Sequence, residues 1–215
     1  GGLIHLNSGS EISDLTVMHT PGSDFGVTLV VEGGSQSDLE DPTTFHTTVR
    51  DCNIITDGST ASDSQGVLIN GSSVQILSSN ISVRSGGSSS HGINFIGGIN
   101  SRLRLLDSTI YAEGTPQGIG IDVLALGVKA TLKGVDIYGS TVSINDALGL
   151  IAEIKNSTLR SIANGIVSTG PTSQIRLFYT AFEAADHVLF LPPADVTCAF
   201  ASNVTTGQSY TSTCE

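Results

Sequence analysis

A chain of 215 residues with a formal net charge of −11 is poorly suited to gripping nucleic-acid phosphates or an anionic membrane surface. Only 13% of residues are charged, yet no stretch approaches the ~20 consecutive apolar residues of a membrane span. With no Trp and few aromatics, a core must come from Val, Ile and Leu.

The chain opens without Met or a secretory leader, as expected of a processed protein or a segment of a longer one. Gly2-Leu3-Ile4 already begins a phrase that runs the length of the molecule. The phrase is a Gly-ended turn, an apolar strand, a Gly/Ser-rich turn, a second strand, then a polar residue and a large aliphatic. It reads clearly as Gln65-Gly66-Val67-Leu68-Ile69, Val74-Gln75-Ile76-Leu77 and Asn80-Ile81. Later copies begin at His91-Gly92-Ile93, Gln117-Gly118-Ile119 and Asn164-Gly165-Ile166. Anchored on Gly2, Gly26, Gly66, Gly92, Gly118, Val142, Gly165 and Val188, the steps are 24, 40, 26, 26, 24, 23 and 23 residues. A period in the twenties with short strands and no helical pattern is the signature of a β-solenoid.

Each rung must bend sharply, which calls for positive φ or for side chains that satisfy loose backbone groups. Two before the polar-aliphatic step stand Asp14, Asp51, Ser78, Asp107, Gly134, Asn156 and Tyr179. The aliphatic itself is Val17, Ile54, Ile81, Ile110, Ile137, Leu159 and Phe182. Rungs about 4.8 Å apart should stack these residues into a polar ladder outside and an aliphatic ladder inside. Ile76, Leu105, Leu132, Ile154 and Leu177 should form a second buried column.

The long step from Gly26 to Gly66 carries an insertion near residues 33–45, with Asp38, Glu40 and Asp41. Such residues extrude as a loop, and the spacing of these oxygens fits no ordered cation loop. No metal or cofactor is expected. Of three cysteines, Cys198 and Cys214 bracket a segment that leaves the repeat, so the chain divides into a solenoid over 1–197 and a tail over 198–215. A disulfide there adds roughly 3 kcal/mol and places the protein outside the cytosol; two unrelated thiols are the alternative. Cys52 is expected to be a partly buried free thiol. The sequons at Asn70, Asn80, Asn156 and Asn203 arise readily in Ser/Thr/Asn-rich turns.

These residues resemble a family. The repeat is similar to right-handed parallel β-helix proteins, the pectate-lyase-like superfold of polysaccharide-degrading enzymes, phage tailspikes and bacterial surface proteins. Asn156-Ser157-Thr158-Leu159, Asn164-Gly165-Ile166 and the tail from Val196-Thr197-Cys198-Ala199 to Cys214 carry the likeness to secreted bacterial or phage-associated members. It implies an all-β, single-chain, right-handed solenoid of about eight rungs of 23–26 residues. The bias of parallel crossovers supports the same hand. It implies little about activity, since one scaffold hosts enzymes and inert fibres.

Hydrolases of this superfold bring carboxylates together on adjacent rungs, because glycoside cleavage needs two. Lyases need Ca²⁺-binding acids and a basic proton acceptor. The sequence holds no adjacent Asp pair, and His91 reads as a turn-capping residue in a column with Gln65, Gln117, Asn164 and His187. No catalytic residue is assigned. The expected function is an extracellular structural or adhesive module, at a cell surface or on a virion, with a polysaccharide lyase or glycoside hydrolase as the alternative. Self-association or a larger parent chain is expected of an uncapped first rung. The candidate binding surface is basic. Arg104 and Arg176 share one outward column, Arg50, Lys133 and Lys155 share the next, and Arg102 and Lys129 stand at its entry. Acidic polysaccharide or the acidic loops of a neighbouring copy suit such a face.

Overall fold

The computed structural model describes residues 2–22, 25–33, 45, 47–98, 101–190, 195–211 and 214, with backbone alone at 187, 189 and 190. The inserted acids Asp38, Glu40 and Asp41 lie outside the described residues. Every rung contributes one strand to each of three sheets. Among the described residues, sheets A and B have eight strands and sheet C nine, each ordered rung upon rung. All rung-to-rung pairing is parallel; the hairpin of Ala201–Asn203 with Gln208–Tyr210 is antiparallel. The chain is a parallel β-helix.

Its sheet B and sheet C columns follow the sequence pattern. Ile76 pairs with Leu105, Leu105 with Leu132, Leu132 with Ile154 and Ile154 with Leu177, all of them buried. In sheet C, Ile54, Ile81, Ile110, Ile137, Leu159 and Phe182 stack in register and are fully buried. The turn between the two sheets is uniform. Asp14, Asp51, Ser78, Asp107, Asn156 and Tyr179 all adopt φ of 47–56°, Gly134 has φ 65° and Phe200 continues the column at φ 58°. Their amides donate to the next rung, as Ser78 does to Leu106 O at 3.0 Å. The following position carries an inward hydroxyl ladder in four rungs, at Ser79, Ser108, Ser157 and Thr180. Ser79 Oγ donates to Leu77 O at 2.7 Å and accepts from the Cys52 amide at 3.1 Å; Ser108 repeats the arrangement. Cys52 occupies this ladder, buried and free.

Sheet A departs from the expected register. Its inward column runs Ile4, Leu29, Val67, Ile93, Ile121, Ile144, Ile166 and Val188, in steps of 25, 38, 26, 28, 23, 22 and 22 residues. The anchoring glycines are therefore neither one column nor turn residues. Gly26 pairs with Ser64 and Gly118 with Ser90, all within strands. Gly66, Gly92 and Gly120 do share a column, for a packing reason. A Cβ on them would stand 2.5, 2.2 and 2.4 Å from Cγ2 of Ile81, Ile110 and Ile137. Sheet A passes so close to sheet C there that only small residues fit; Thr28 and Ser143 hold the same level in other rungs.

One inward position of sheet A is charged. Asp146 takes the place of Phe95 and Val123, with none of its surface exposed. It accepts from the Gly149 amide and Ser168 Oγ, each at 2.9 Å, and from Ser173 Oγ. A buried carboxylate is tolerable only when its lone pairs are met in this way.

At the C-terminal end Cys198 stacks on Leu177 and is joined to Cys214, as expected. Ala201–Asn203 extends sheet C, and Asn203 stacks on Phe182. The Asn203 amide donates to Ala184 O at 3.2 Å, and its carbonyl accepts from Thr205 and Thr206 at 3.0 and 3.3 Å.

Candidate functional site

The outer face of sheet B gathers the predicted basic residues. Strand Arg102–Leu106 pairs with Val128–Lys133, which sets Arg102 beside Lys129 and Arg104 beside Thr131. Leu150–Lys155 and Gln174–Phe178 carry the Arg104 column on through Glu153 to Arg176. Lys133 pairs with Lys155 one column over, with Arg50 on the same level three rungs earlier. Parallel strands hold these groups at multiples of about 4.8 Å on a rigid surface.

The cations fall into two groups. Arg50 is tied to Glu11 at 2.5 Å, and Lys155 to Glu153 at 2.8 Å. Lys155 Nζ also sits 5.3 Å from the centre of the Phe178 ring. Arg102, expected on a solvated surface, is only 8% exposed. Arg104, Lys129, Lys133 and Arg176 are exposed and make no ion pair among the described residues. Arg102, Lys129 and Arg176 line a groove of about 450 Å³ with Phe45, Ile151, Gln174 and one acid, Glu153, which is paired with Lys155. Phe45 comes from the end of the insertion and is invisible to rung spacing. A groove with convergent cations and an apolar wall can hold an elongated anion.

His91 is not a turn residue. It lies within Ser89–Ile96, beside Gln65 and Ile119. Its Nδ1 stands 3.0 Å from Asp122 and its Nε2 3.7 Å from Asp63. Asn145 donates to Asp122 at 2.8 Å, and Ser89 and Gln65 donate to Asp63 at 2.8 and 3.3 Å. Asp122 and His91 are buried on the outer side of sheet A. With Asp122 buried, Asp63 part-exposed and both carboxylates engaged, this cluster ties four successive rungs together. Among the described residues, no group of three or more His, Cys, Asp or Glu side chains is arranged to hold a metal ion.

A third feature lies where sheet B turns into sheet C. Tyr179 and Phe200 occupy the positive-φ column that other rungs fill with Asp, Ser, Gly or Asn. For side chains of that size the conformation costs about 1–2 kcal/mol each. Their rings stack at 5.1 Å with a 7° interplanar angle, yet stay 61% and 64% exposed. The sequence column displays Tyr179 openly; its anomaly emerges once the backbone conformation is known.

No protein-family model matches the chain, and no curated protein and no solved structure matches it either.

Proposed function

We propose that this protein is a non-catalytic, extracellular structural or adhesive module that holds acidic polysaccharide against the outer face of sheet B. One observation carries the reading: a chain of net charge −11 keeps four exposed cations that make no ion pair among the described residues on a single surface, Arg104, Lys129, Lys133 and Arg176. Acids outnumber Lys and Arg by 20 to nine over the whole chain, so the face where these cations gather is where a polyanion can lie. The Cys198–Cys214 disulfide is in keeping with an oxidising, extracellular setting.

Binding to immobilised polygalacturonate, alginate and hyaluronan, against neutral dextran, tests the proposal. Acidic chains are expected to bind with an affinity that falls steeply with salt. Replacing Arg104, Lys129, Lys133 and Arg176 with Gln should abolish that binding and leave the melting temperature unchanged. Equal binding of dextran, or full retention by the Gln variant at low salt, rejects it.

A further inference from the structure

We infer that Phe178, Tyr179 and Phe200 form a sugar-stacking subsite at the edge of the basic face, taking the apolar face of a pyranose ring in an acidic polysaccharide. The inference rests on the glycan reading and adds residues that charge alone does not select.

The turn does not require aromatic residues. Asp51, Ser78, Asp107 and Asn156 make the same turn at φ of 47–51°. Two rings held in this backbone, at 51° and 58°, are a departure that structure alone would remove. Nor are they placed for burial, since most of each ring surface meets solvent. Stacked within 7° of parallel, they form a platform whose geometry is set before any ligand arrives. Tyr and Phe have few rotatable bonds, so little freedom is lost when a ligand packs on them.

The neighbouring charge indicates which ligand fits. Phe178 continues the column of Lys133 and Lys155, and Lys155 Nζ lies over its ring. A pyranose offers axial C–H groups to an aromatic surface and keeps its hydroxyls in water. A uronic acid adds a carboxylate that Lys133 can meet, while Lys155 is held by Glu153. An aromatic platform beside an exposed lysine thus suits an acidic sugar better than a neutral one.

Calorimetry with polygalacturonate and alginate oligosaccharides tests this on the full chain; with four Tyr and no Trp, the difference in tyrosine fluorescence between the native chain and Tyr179→Phe gives a local readout. Tyr179→Asn with Phe200→Asn installs a residue suited to positive φ. The pair should hold or raise the melting temperature while weakening binding at least tenfold. Tyr179→Leu with Phe200→Leu keeps apolar bulk without a ring and should also bind weakly, whereas Tyr179→Phe should bind normally. A Leu pair that binds like the native chain overturns the inference. So does an Asn pair that retains full affinity; if binding is then lost on Arg104→Gln with Arg176→Gln, the basic-face reading stands alone. A native chain that binds neither oligosaccharide at low salt overturns both.

Discussion

Cys52 Sγ donates to the carbonyl of Arg50 at 3.1 Å, the bond that Ser79 Oγ makes to Leu77 one rung later at 2.7 Å. The thiol is a member of the hydroxyl ladder, with no sign of a reactive group. Cys52→Ser should therefore fold with a stability within about 0.5 kcal/mol of the native chain. Thiol titration should find no free sulfhydryl in the folded protein and one after denaturation. Rapid labelling of the folded chain would contradict the burial.

The Gly92 column makes a sharper claim about packing. A methyl group there meets Ile110 Cγ2 at 2.2 Å and the Gly120 carbonyl oxygen at 2.5 Å. Gly92→Ala should cost about 1–3 kcal/mol by overpacking, measured by denaturant unfolding. Gly22, where an added Cβ would have nothing within 4 Å among the described residues, is the control and should tolerate Ala.

Asp146 is the most consequential polar residue of the interior. Asp146→Ala leaves the Gly149 amide and the hydroxyls of Ser168 and Ser173 without their shared acceptor. A loss of about 3 kcal/mol is expected, beyond that of most surface substitutions. A melting temperature unchanged in Asp146→Ala would show that water replaces the carboxylate without penalty.

The tail should respond to reductant and to alkali. The disulfide closes a 16-residue separation, so reduction should lower stability by about 3 kcal/mol. Burial pushes the Tyr210 phenol above its ordinary value of 10.0. The folded state thereby favours the neutral phenol, a contribution fully present below about pH 10 and lost as pH rises through the higher folded value. Thermal melts across alkaline pH should show this decline, and Tyr210→Phe should flatten it.

The column of Ile81 and Ile110 was legible because the turn before it has constant length: a positive-φ residue, a ladder residue, a polar residue, then the aliphatic. Arg104 and Arg176 share a face for the same reason. Sheet A was harder to read, since its inward residues include Gly, Thr and Ser, which look like turn residues in a sequence. Aligning Gly92 with Gly118 rather than Gly120 is a two-residue slip, and it preserves the alternation of faces and so leaves no warning. The His91–Asp122 contact was hidden by the longer rung between them. Phe45 at the groove, Glu11 on Arg50 and Glu153 on Lys155 depend on where side chains reach, which spacing does not encode.

The three parallel sheets have a mechanical consequence. Because every rung pairs only with the rungs beside it, hydrogen bonds between rungs run along the solenoid axis. Tension along that axis loads the bonds across one interface together and the successive interfaces in series. A terminal rung has a neighbour on one side only, so it should yield first, and the next then becomes terminal. Each release frees 22–28 residues in the uninserted rungs, a lengthening of roughly 7–10 nm at 3.3–3.6 Å per residue. Stretched along its axis, the solenoid would release chain in instalments and keep the remaining rungs intact.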